Sequence, residues 1–109
     1  PSARKGDPLN ERPAVEHPVV RIHPESGRKC LFVNEGFTTR IKCMTPAESK
    51  IILSFLHAHT TRSEVVYRHK WRNGDVVVWD NRSSVHRGVG DYSDAERRHM
   101  HRTTIKDAA

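Results

Sequence analysis

The sequence predicts a mainly β protein with one helix, and three observations predict it. Short runs rich in β-branched and aromatic residues recur between turn signals, at a spacing that suits antiparallel sheets, a sandwich or a barrel-like double sheet. Only the segment opening at Thr45-Pro46 carries both the caps and the apolar spacing of a helix. The chain has 109 residues, enough for one small domain or a piece of a larger one, so a partial sheet with a small core is expected.

Residues 1–16 hold three Pro, one Gly and many charges, which argues against regular structure and for a flexible tail or an active-site loop. Residues 17–109 are expected to be the folded part. His17 to His23 reads as a strand because Val19, Val20 and Ile22 are β-branched, and Pro18 suits a strand start. Pro24 to Gly27 is a turn signal, with Gly27 free to take positive φ. Lys29 to Asn34 then reads as a second strand, completing a hairpin. Asn34-Glu35-Gly36 leaves it in another turn. Thr45 is an N-cap, Pro46 takes the first helical position, and Glu48 completes a capping box. Ile51, Ile52, Phe55 and Leu56 form the expected apolar side, and the helix is expected to end near His57–His59. Val65 to Trp71 is the next strand candidate. Asn73-Gly74 signals a tight hairpin turn, and Val76 to Trp79 is the most apolar strand candidate. A loop follows over Gly88 to Asp94, and the last strand candidate is Arg98 to Ile105.

Composition excludes several classes. The formal charge is +6 with the 8 His neutral, but the basic residues are dispersed and no nucleic-acid reading motif is present. No stretch approaches the roughly 18 apolar residues of a membrane span, and the N-terminus lacks the apolar core of a signal peptide. A cytoplasmic protein is expected. Cys30 and Cys43 form no C-x-x-C pair and are expected to be buried or half-buried free thiols. A start at Pro1 without Met marks the chain as a candidate part of a longer protein.

The chemistry concentrates between Asp75 and Arg102. His86 follows an apolar segment, where a neutral imidazole can bind iron or zinc or act as a base. Asp80 invites comparison with a carboxylate ligand, and its six-residue separation from His86 neither supports nor excludes that. Arg98 and Arg102 would share one face of a strand, about 13 Å apart at roughly 3.3 Å per residue. Two guanidiniums on one face suit carboxylate, sulfonate or phosphate, whose oxygens match the planar fork. Arg97 would face away. Asp91, Asp94 and Glu96 are alternative partners for the arginines. His99 and His101 also share a face and form an H-x-H pair without an obvious third ligand.

The run GDVVVWDNRSSVHR followed by DYSDAERRHMHRTTI resembles the C-terminal part of the taurine dioxygenase (TauD/TfdA) family of non-haem iron enzymes. NEGFTTRIKCMTPAES and YRHKWRNGDVVVWDN extend the resemblance, which covers about residues 17–107. It implies the C-terminal portion of a double-stranded β-helix, or jelly roll. It also implies a dioxygenase that couples decarboxylation of 2-oxoglutarate to hydroxylation of a small acidic substrate (sulfonate, sulfate or carboxylate), using Fe(II) and molecular oxygen. In that resemblance His86 matches the distal metal ligand, and Arg98 the grip on 2-oxoglutarate. Arg102 matches the grip on an acidic substrate, while Trp79 and Asn81 line or support the cofactor pocket. Asp80 does not match the iron carboxylate. The loop from His86 to Arg98 is one residue longer than the family pattern, which makes Arg97 the fallback for Arg98.

The departure that matters most is the absence of an H-x-D motif, which supplies the other two iron ligands well upstream in the family. None of the eight His has Asp two residues later. The chain is therefore expected to be inactive alone, completed by a missing N-terminal segment or a partner chain, with a homo-oligomer as one form. The alternative is a non-catalytic remnant or interaction module that keeps part of the fold.

Overall fold

The computed structural model describes residues 13–106. The first twelve residues of the expected tail or loop, and the last three of the chain, lie outside the described residues. The element order is β1 (Val20–Ile22), β2 (Lys29–Leu31), α1 (Pro46–Thr60) and a short 3-10 turn at Ser63–Val65.

The hairpin forms where the turn chemistry put it. β1 and β2 pair antiparallel, with Val20 opposite Leu31, Arg21 opposite Cys30 and Ile22 opposite Lys29. Bonds from His23 N–H to the Arg28 carbonyl (2.8 Å) and from Phe32 N–H to the Val19 carbonyl (2.7 Å) extend the ladder at either end. Gly27 closes the turn at φ 69°, a left-handed conformation that costs a residue with a Cβ about 1–2 kcal/mol. Across the pair, the Arg21 guanidinium lies over the Phe32 ring at 4.4 Å, and His17 meets the same ring edge-on at 5.2 Å.

The helix starts on its capping box. Glu48 N–H donates to Thr45 Oγ1 at 3.2 Å, and Thr45 N–H donates back to Glu48 Oε1 at 3.3 Å. The Thr45 hydroxyl also donates to that oxygen at 2.7 Å, so the box holds the Glu48 carboxyl below its usual range. At the far end the His57 carbonyl accepts from Thr61 N–H and from the Thr60 and Thr61 hydroxyls. The helix therefore closes at Thr60, one residue beyond the expected end.

Its buried face differs from the one expected. Ser49 and Leu53 are buried, and Leu56 and Thr60 are half-buried. Ile51 and Phe55 are exposed, with Phe55 stacked on His59 at 6.1 Å. Counting apolar residues favoured the Ile51–Phe55 side. The Ser49 hydroxyl reverses that choice, because it is buried while accepting the Ile41 N–H at 2.8 Å, which offsets its desolvation. Val33, just after β2, is the other buried apolar residue among those described. Cys30 is half-buried but Cys43 is exposed, and Cys43 takes φ 65°.

The expected jelly roll is overturned. Among the described residues the sheet consists of β1 and β2 alone, and the segments 65–71, 76–79 and 98–105 contain no paired strand. Asn73-Gly74 does turn, with Gly74 at φ 88° and Asp75 N–H bonded to the Arg72 carbonyl at 3.1 Å. It joins two segments that do not pair. A strand needs a neighbour about 4.8 Å away to take its N–H and C=O groups, and these segments have none. Their side chains show the consequence: Val76, Val78 and Ile105 are 87%, 89% and 93% exposed. β-branched residues favour a pleated surface that something covers, and propensity alone does not assemble one.

Candidate functional site

The residues singled out by sequence fall into two groups. Trp79, Asn81 and His86 come together around the turn at residues 80–83. The Trp79 indole N–H donates to Asn81 Oδ1 at 3.0 Å, and the His86 ring lies 4.4 Å from the Trp79 ring, tilted by 47°. An aromatic face at that distance restricts an exposed imidazole from one side. The chain closes this loop through the Asp80 carbonyl, which accepts from Ser84 N–H at 3.0 Å and from the Ser84 hydroxyl.

Arg98 forms the second group. Its guanidinium lies over the Tyr92 ring at 5.2 Å, within cation–π range. It also reaches back to Gly88, where a Cβ would lie 3.8 Å from Nη1. Gly88 is two residues after His86, so the Arg98 head group borders the loop that carries the imidazole. The bend at Ser93 to Glu96, held by mutual bonds of 2.8 and 3.0 Å, returns the chain for this approach. Tyr92, Ser93, Asp94, Glu96, Arg98 and Met100 line an open depression of about 300 Å³. Arg102 is exposed and outside that lining, and residues 98–105 form no strand, so the shared-face spacing inferred for Arg98 and Arg102 does not apply. His99 and His101 approach edge to face at 4.9 Å.

Asp80 is engaged elsewhere. Its Oδ2 meets His23 Nε2 at 2.8 Å, and its Oδ1 accepts from Arg82 N–H at 2.8 Å and from Arg82 Nε at 3.0 Å. The Arg82 guanidinium first, and His23 second, hold the carboxyl far below the usual carboxylate range. Arg82 also lies 3.6 Å from Glu25. Sequence reasoning missed this cluster. The Asp-x-Arg spacing in a turn was the one local signal, and His23 is 57 positions away.

The donors present do not fit a ferrous ion. Among the described residues no three His, Cys, Asp or Glu side chains gather, whereas a facial site needs two His and a carboxylate. His86 offers one imidazole, and Asp80 has both oxygens occupied by protein donors.

Residues 1–104 match the family described as taurine catabolism dioxygenase TauD, TfdA family. The alpha-ketoglutarate-dependent 2,4-dichlorophenoxyacetate dioxygenase of Cupriavidus pinatubonensis is 42% identical over 92% of this chain and 34% of its own length. An alkylsulfatase of Acinetobacter baylyi is 43% identical over 76% of this chain and 26% of its own. The alpha-ketoglutarate-dependent sulfonate dioxygenase of Saccharomyces cerevisiae is 37% identical over 94% and 26%. The chain thus spans about a third or less of these curated relatives.

Proposed function

The chain belongs to the TauD, TfdA dioxygenase family, and from that premise we propose that it is the C-terminal segment of a non-haem iron, 2-oxoglutarate-dependent dioxygenase acting on a small acidic substrate. His86 supplies one metal ligand. Arg98 grips the far carboxylate of 2-oxoglutarate through paired charge-assisted hydrogen bonds, and Trp79 and Asn81 support that pocket. Arg102 meets the anionic group of the substrate. The names of the three relatives point to a phenoxyacetate, an alkyl sulfate and a sulfonate, all anions to which a guanidinium can donate paired hydrogen bonds. The other two iron ligands belong to an H-x-D segment outside this sequence, on a longer chain or a partner chain, and a homo-oligomer is one arrangement that would bring such a segment in. This chain alone is inactive.

The observation that carries the reading is the Arg98 head group lying against Gly88, beside the loop of His86. An anion held by Arg98 would lie beside the loop that carries His86, the residue that would help to hold a metal supplying the redox chemistry. No helix among the described residues is long and apolar enough to cross a membrane, and the cytoplasm is the proposed location.

The missing H-x-D motif favours a second reading, a non-catalytic remnant or interaction module. Titration of ferrous iron, with and without 2-oxoglutarate, separates the readings. The chain alone should show no tight stoichiometric site. Supplied with an H-x-D segment from a relative, it should gain a tight site that His86→Ala weakens by more than about 100-fold, the upper end of what loss of an outer-shell partner costs. Tight binding with turnover by the chain alone would overturn the claim of incompleteness. Failure to gain a site with the segment present would favour the remnant.

A further inference from the structure

We propose that the β1–β2 hairpin is a clamp on the turn that carries the His86 loop, and that His23, as a neutral Nε2–H imidazole, is its positioning residue. The functional meaning of the clamp rests on the reading of His86 as a ligand, but its geometry stands on separate contacts.

The imidazole of His23 has little freedom. Its backbone is fixed at the hairpin end, where His23 N–H bonds the Arg28 carbonyl at 2.8 Å and the His23 carbonyl accepts Gly27 N–H at 2.9 Å. Its Nδ1 accepts the N–H groups of Glu25 and Ser26 at 3.3 and 3.2 Å. A nitrogen that accepts carries a lone pair, so the ring proton sits on Nε2. That proton points at Asp80 Oδ2, 2.8 Å away, with the His23 side chain only 11% exposed. The turn that shapes the hairpin therefore also selects the tautomer that can donate to Asp80.

Two further hairpin residues hold the same turn. Cys30 Sγ lies 3.5 Å from the Arg82 carbonyl, and Glu25 pairs with the Arg82 guanidinium. Asp80 is flanked by Trp79 and Asn81, which bond to each other over it, and His86 rests on Trp79. The line of support runs from hairpin to Asp80, from Asp80 to its neighbour Trp79, and from Trp79 to His86. Among the described residues, the hairpin reaches the segment after residue 65 through contacts 52 to 57 positions apart in sequence. Such an outer partner sets where a ligand points without touching the metal.

The test uses the full chain without metal near pH 7.5. Long-range nitrogen–proton NMR correlation reads the tautomer of His23, and nuclear Overhauser contacts between the Trp79 indole and the His86 ring read the position of His86. Wild type should show His23 protonated on Nε2 and bare on Nδ1. His23→Leu should lose the Trp79–His86 contacts while circular dichroism still shows α1. His23→Gln, whose amide N–H can reach Asp80, should retain them. The proposal is overturned if the contacts survive in His23→Leu, if His23→Gln loses them as completely as His23→Leu, or if the proton is on Nδ1. Should His23→Leu unfold, the tautomer and the glutamine variant still decide. No metal enters these measurements, so their failure counts against the clamp and leaves the ligand reading to the iron titration.

Discussion

The two halves of the chain divide structure from chemistry. From residue 17 to 62 the backbone is tied to itself: a hairpin with a closed ladder, then a helix with both ends capped. From 65 to 106 its backbone bonds are confined to isolated turns such as Asp75 to Arg72 and Glu96 to Ser93. Every residue assigned a role in the proposed reaction lies in the second half. The first half can hold its shape from local bonds. The second holds its site through side-chain contacts to a turn and, at Asp80 and Arg82, through the first half. Regular structure here is the support, and the residues proposed to carry the chemistry lie on segments that have little of it.

The sharpest way to break this division is to damage the support. Leu53→Ala removes one of the few buried apolar side chains and should cost about 2–3 kcal/mol, the lower part of the range for such truncations because so small a core can relax around the gap. Urea unfolding followed by circular dichroism measures it. A loss under about 0.5 kcal/mol, the size of a surface change, would mean that α1 contributes little to holding the first half.

Next comes the chemistry. In the chain completed with an H-x-D segment, Arg98→Ala should raise the 2-oxoglutarate concentration needed for half-saturation by about 10–100-fold, the equivalent of a lost charge-assisted bond. Arg97→Ala should leave it nearly unchanged. The reverse result would move the grip to Arg97, where the extra loop residue allows it.

Thr45→Ala should cost about 1 kcal/mol through loss of the cap, visible as reduced helicity. It should also change the acid limb. The Glu48 carboxyl is held below its ordinary value by Thr45. Its contribution is complete above the unfolded pKa of about 4.3, and it is lost as pH falls through the lower folded value. In the alanine variant this acid-dependent loss should shrink, and an unchanged pH profile would show that the box carboxylate does not stabilise the helix.

The smallest effect belongs to the exposed segment. Val78→Ser should change the stability of this chain by less than about 0.5 kcal/mol, since the side chain is already in water. A larger loss would show that the 76–79 segment is covered in solution, and would erase the contrast between the halves.

What was legible in the sequence follows the same line. The hairpin was readable because its turn and β-branched residues are neighbours, and the helix because Thr45, Pro46 and Glu48 are within four positions. The family was readable from side-chain types alone, in the runs around Trp79 to His86 and Arg97 to Arg102. The strands expected after residue 65 were not formed, because a strand is specified by a partner and local composition cannot supply one. The helix face was misjudged because burial of Ser49 depends on the Ile41 N–H that it satisfies. The His23–Asp80 contact joins two polar residues 57 positions apart, and neither advertises the other.

The uncovered valines also set a clock. Hairpins close in about 1–10 μs and helices faster, so the first half is finished before two chains at ordinary concentrations collide. The Val76-Val77-Val78-Trp79 run, apolar, uncharged and free of Pro, then stays open to the first matching surface it meets. Whether that surface belongs to the rest of a catalytic domain or to another copy is decided by a race. Self-encounter scales with the square of concentration, whereas encounter with a tethered segment does not depend on concentration. Dilution therefore lengthens the soluble life of the isolated chain, and covalent attachment to a covering segment would remove that dependence.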